Sequence, residues 1–106
     1  MNYIYNITYH IENSVFNQWK NWILSHIEEV LKESFFDKAK LLKIDTEDND
    51  SQTYSIQYET SAKENILHFQ SLLEAKHRHL LFIQFGEKVL PFATKIKIVQ
   101  EFNKLK

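Results

Sequence analysis

YIYNITYHI, residues Tyr3 to Ile11, decides how the rest of the chain is read. Tyr3, Tyr5, Ile7, Tyr9 and Ile11 fall on one side of a period-two ribbon, and Ile4, Asn6, Thr8 and His10 on the other. This is the alternation of a strand with one dry and one wet face. The apolar side is complete over five positions, so a central strand is expected here.

Working outward, Asn13 or Ser14 can cap a helix in which Phe16, Trp19, Ile23, Ile27, Val30 and Leu31 recur as one buried stripe, ending near Glu33. Residues 38 to 44 read as a second strand, at an edge because Lys38, Lys40 and Lys43 discourage further pairing. DTEDND, residues 45 to 50, has turn composition and joins this run to a third strand, residues 53 to 59, with Tyr54, Ile56 and Tyr58 on its apolar side. Ser61 and Glu64 have the spacing of a capping box. A second helix follows, with Ile66, Phe69, Leu73 and Leu80 expected inward. The run LLFIQF blurs its end, and Gly86 is the expected stop. Pro91 opens a last strand in which Phe92, Thr94, Ile96 and Ile98 alternate with Ala93, Lys95, Lys97 and Val99.

The order βαββαβ predicts an α+β, ferredoxin-like domain spanning residues 1–106: a four-stranded antiparallel sheet with both helices on one face. With Phe92, Thr94, Ile96 and Ile98 placed under the helices, every position on the covered register of the three clean strands except Thr94 is apolar. The other sheet face is then left uncovered.

Composition narrows the function. The 106 residues are 43% hydrophobic and 25% charged, which is globular and not disordered. Absence of cysteine removes disulfides, thiolate ligands and a Cys nucleophile. One glycine cannot build a glycine-rich phosphate cradle. No apolar run is long enough for a bilayer span, and no signal-peptide pattern stands at the N-terminus, so a cytoplasmic protein without membrane contact is expected. A net charge of −1 offers no field for a phosphate backbone. The RNA recognition motif shares the βαββαβ order, but TYSIQYET lacks its K/R-G-F/Y-G/A core, so no nucleic-acid partner is expected.

Five histidines raise the question of a metal, but no H-E-x-x-H and no His pair four apart occurs, so neither a metal nor another cofactor is expected. The candidate ligand-pocket residues are Asn6, Thr8 and His10 of the first strand, Ser55 and Gln57 of the third, and His26, which forms a helical ridge with Trp19 and Trp22. Glu59, Lys95 and Lys97 are expected on the same open face. His26 at a pocket rim would titrate near neutrality.

YIYNITYHIE, the W-x-x-W-x-x-x-H-I formed by Trp19, Trp22, His26 and Ile27, then KAKLLKI, TYSIQYET and FGEKVLPFATKIKI resemble, in order and spacing, the bacterial domain of unknown function family 4286. The resemblance runs over nearly the whole chain, and the family is similar to the dimeric α/β barrel group. That implies a homodimer with facing sheets. It leaves two readings of function. The first is a small homodimer binding a small molecule between its sheets without catalysis. The alternative is a cofactor-poor monooxygenase or isomerase using His26 or His77 as base and Asn6 to orient substrate. Haem-degrading members of the wider group use an Asn on strand one, a Trp on the sheet and a His on the second helix. Asn6 and His77 align only loosely with the first and last, and strand three departs from the pattern, with Tyr54 and Tyr58 and no Trp.

Overall fold

The computed structural model describes residues 2–105. Strand β1 (Tyr3–Glu12) leads through a single tight turn into helix α1 (Phe16–Lys32), followed by β2 (Lys38–Ile44) and β3 (Ser51–Thr60). Helix α2 (Lys63–Phe69) runs through a widened π turn (Gln70–Glu74) into α3 (Ala75–Phe85), and the chain returns as β4 (Val89–Lys97). The antiparallel sheet has the order β2-β3-β1-β4, with β1 in the interior as its alternation predicts and β2 at an edge. Sheet and helices form two layers about 18 Å deep.

Tyr5, Tyr9 and Ile11 of β1 and Tyr54, Ile56 and Tyr58 of β3 are buried beneath the helices. They meet Trp19, Ile23, His26 and Val30 of α1 and Ile66, Phe69, Leu81 and Phe85 of the second helical run. Aromatic contacts link the layers: Tyr9 lies 5.4 Å from Trp19, and Tyr5 5.4 Å from Phe69, between ring centroids. Such tilted pairs add to the burial of large apolar area.

Three local expectations are revised. No side chain caps α1; Asn13 Nδ2 donates instead to the Asn49 carbonyl at 2.7 Å, tying down the 45–50 turn. The Ser61–Glu64 box does not form either. Ala62 is the N-cap residue of α2, and the Thr60 hydroxyl accepts from the Ala62 amide at 3.2 Å and the Asn65 side chain at 2.9 Å, holding the strand-to-helix junction. Leu80, expected inward, is exposed, and Leu81 is buried in its place. The π turn explains this, since its wider coil adds nearly one residue to the repeat and rotates everything downstream. His77, Leu81 and Phe85 thereby become the inner stripe of α3. Gly86 ends the helix as predicted, at φ 58, with its amide donating to the Phe82 carbonyl.

The fourth strand differs most. Val89 pairs with Ile11 and is buried, and this sets the register: Ala93 pairs with Ile7 and Lys95 with Tyr5 on the helix side. Phe92 and Thr94 stand opposite Thr8 and Asn6 on the open face, beside Leu90 and Ile96. Phe92, Thr94 and Ile96 are therefore not under the helices, and Lys95 and Lys97 are not on the open face. A shift of one residue exchanges the faces of a whole strand. Because Val89 and Leu90 are both apolar, alternation starting at Pro91 could not choose between the two registers.

Candidate functional site

The six sequence candidates lie on opposite sides of the sheet. Asn6, Thr8, His10, Ser55 and Gln57 share the open face, where Asn6 faces Gln57 and Thr8 faces Ser55 across the strands. Their polar groups partly satisfy one another: Asn6 Nδ2 donates to Thr8 Oγ1 at 3.2 Å, and His10 Nδ1 lies 3.1 Å from Thr53 Oγ1. Apolar side chains flank this centre, Leu42 and Ile44 toward one edge and Leu90, Phe92 and Ile96 toward the other, all of them exposed. Phe92 is 55% exposed, with its ring edge-on to His10 at 5.5 Å.

His26 lies on the other side of the sheet, under the helices, in a cavity of about 40 Å³. The walls come from three layers of sequence: Tyr5, Tyr9 and Tyr58 of the sheet, His26 of α1, and Glu74 and His77 of the second helical run. Trp22 stacks on His26 at 4.5 Å, His26 meets the edge of His77 at 4.8 Å, and His77 stacks on Phe69 at 5.5 Å. Both imidazoles are thus held in fixed orientations by aromatic rings.

Electrostatics at this cavity follow from burial. Burial, reinforced by the neighbouring His77, lowers His26 to about 4, so the expectation of titration near neutrality is overturned. His77 is also lowered, by burial first and then by Lys76. Both rings are neutral at pH 7, each with one donor and one acceptor nitrogen. Burial likewise raises the phenols of Tyr5, Tyr9 and Tyr58, so all three stay protonated. Glu74 accepts from the Tyr5 hydroxyl, from Gln70 Nε2 at 3.2 Å and from Arg78 at 3.1 Å.

Three side chains among the described residues carry buried polar atoms without a partner: Trp19, through Nε1, lies outside the cavity, and the other two line it. The Tyr58 hydroxyl and both His77 ring nitrogens are shielded from solvent and have no hydrogen-bond partner. Tyr58 as a whole is fully buried. An unpaired buried polar group costs about 1–3 kcal/mol, so Tyr58 and His77 are the cavity residues with most to gain from a hydrogen-bonding partner. Tyr58 was visible in the sequence only as a core residue. Glu74 carried no signal at all, because its inward position depends on the π turn. Among the described residues no three His, Asp or Glu side chains are grouped to hold a metal ion.

Fold and cavity together define a two-layer ferredoxin-like domain with an aromatic, hydrogen-bonding site between its layers. The chain belongs to a family described as a domain of unknown function (DUF4286), whose model matches residues 2–99. No curated protein matches the sequence. Similar solved structures include a dimeric ferredoxin-like protein from an uncultured marine organism, at 12% identity and TM-score 0.74, covering 95% of this chain and 98% of that one. A second dimeric ferredoxin-like protein, also from an uncultured marine organism, has 14% identity and TM-score 0.59, with 98% and 100% covered. A variant of SnoaB, a cofactor-independent oxygenase from Streptomyces nogalater, has 7% identity and TM-score 0.66, with 96% and 98% covered. At these identities the likeness concerns the fold.

Proposed function

We propose that this protein is a homodimeric small-molecule-binding domain, in which the open sheet face joins two copies and the cavity beneath the helices takes the ligand. The observation that carries the ligand site is that Tyr58, with an unpartnered hydroxyl, and His77, with unpartnered ring nitrogens, both line this cavity. The open face supports pairing, because exposed Leu42, Ile44, Leu90, Phe92 and Ile96 flank polar groups that are already bonded to each other. Two solved structures of the same fold are described as dimeric. This moves the ligand from between the facing sheets to the helix side of each sheet.

The alternative reading, a cofactor-poor oxygenase or isomerase, draws support from His77, a cavity-lining residue whose ring nitrogens are unpartnered, and from the fold shared with SnoaB. Two features favour binding over that chemistry. Asn6 cannot orient a substrate for His77, since the sheet separates them. An imidazole held at about 4, as His26 is, has little driving force as a base at neutral pH.

The test is an imidazole ¹⁵N spectrum recorded with saturating phenol or 1-butanol. Resonances of His26 and His77 are expected to move while those of His10, on the open face, stay in place. Movement of His10 alone would return the ligand to the sheet-facing side and overturn the assignment.

A further inference from the structure

The cavity beneath the helices is adjoined by a second, open groove of about 400 Å³ between α3 and the start of β4, and the two share Arg78, Leu81 and Pro91 as walls. Beyond those shared residues the groove is lined by Phe82, Gly86, Glu87, Val89 and, at the margin of the open face, Leu90, with a surface that is mostly apolar. Phe82 is 57% exposed there. The inner cavity differs in kind, being small and carrying the unpaired Tyr58 hydroxyl and His77 nitrogens.

Resting on the ligand-binding reading above, we infer that cavity and groove are the two halves of one site, built for an uncharged amphiphile. A hydroxyl or carbonyl head of a few heavy atoms would enter the inner cavity, and an apolar body would lie along the groove. Size sets the division, since about 40 Å³ admits a head group but not a whole ligand. Charge sets the class. In the inner cavity Glu74 is already matched by Arg78, Tyr5 and Gln70, and the imidazoles are neutral, so neither an ammonium nor a carboxylate head finds a free counter-charge there to offset its desolvation; Glu87 lines only the outer groove. A hydroxyl can accept from one neutral group and donate to another, which is what Tyr58 and His77 offer. Leu81 and Pro91, walls of both halves, make the junction between them largely apolar.

Calorimetric titration at pH 7.5 with 1-hexanol, sodium hexanoate and hexylammonium chloride tests this. Hexanol is expected to bind, with the two charged analogues weaker by about 10-fold or more. Tyr58→Phe, which keeps the ring and removes the hydroxyl, should weaken hexanol by about 10-fold, the scale of one lost hydrogen bond. Phe82→Ser, at an exposed position that the fold does not depend on, should also weaken it. Equal binding of hexanoate or hexylammonium would overturn the ligand class while leaving the cavity as a binding site. An unchanged affinity in Phe82→Ser would overturn the joining of the two halves. If a folded protein binds none of the three, the underlying reading falls with the inference.

Discussion

At the scale of single residues, the face on which a side chain lies decides what its removal costs. Ile56 is fully buried beneath the helices and Gln57, its neighbour, turns to the open face. Ile56→Ala should lower the unfolding free energy by about 2–5 kcal/mol, by lost burial and a residual cavity. Gln57→Ala should change it by less than about 0.5 kcal/mol. Urea unfolding of the two variants checks the ranking, and the opposite order would mean that the faces of β3 are reversed. His26 makes the second residue-level prediction. Its folded value of about 4 lies below the ordinary 6.5, so the unfolded chain takes up a proton more readily than the folded one. Its contribution is complete above pH 6.5 and is lost as pH falls toward 4, amounting to about 3 kcal/mol over that window. His77 acts in the same direction. Unfolding followed from pH 7.5 to 4 should show this slope, and His26→Phe, which keeps a ring against Trp22, should flatten it. An equal slope in that variant would remove His26 as the cause.

At the scale of elements, the π turn Gln70–Glu74 has the largest effect on what the site contains. It rotates α3 so that His77, Leu81 and Phe85 face inward, and it places Glu74 against Tyr5. Deleting Leu72, an exposed residue within that turn, should restore a regular helical repeat and turn α3 by roughly 100°. Melting followed by circular dichroism should then show loss of a cooperative transition, while Leu72→Ala should melt like the parent; a cooperative deletion variant would show that the turn is dispensable. The same element marks the limit of the sequence reading. The alternation of Tyr3 to Ile11 and of Tyr54 to Tyr58 is unambiguous, so β1, β3, their shared core face and the βαββαβ order could be read directly. Trp19, Trp22 and His26 were visible as a ridge, but not the depth at which His26 is buried. Nothing in QSLLE announces a widened turn, so His77 and Glu74 could not be assigned to one cavity. The pair Val89-Leu90 carries no preference for a face, and alternation counted from Pro91 sets β4 one residue out of register.

At the scale of the whole molecule, that register changes the character of the open face. It becomes a polar centre with apolar margins, suited to meeting a second copy, and no helix of the described residues is long and apolar enough to cross a membrane. On the proposed function the sheet separates two tasks, association on one side and ligand binding on the other. Sedimentation equilibrium at micromolar concentration, on the parent and on Phe92→Lys, tests this division most directly. Phe92 is largely exposed in the single chain, so the substitution should leave each copy folded while placing a charge at the contact. The account predicts a dimer for the parent and a folded monomer for Phe92→Lys. A monomeric parent, or a variant that remains dimeric, would contradict it.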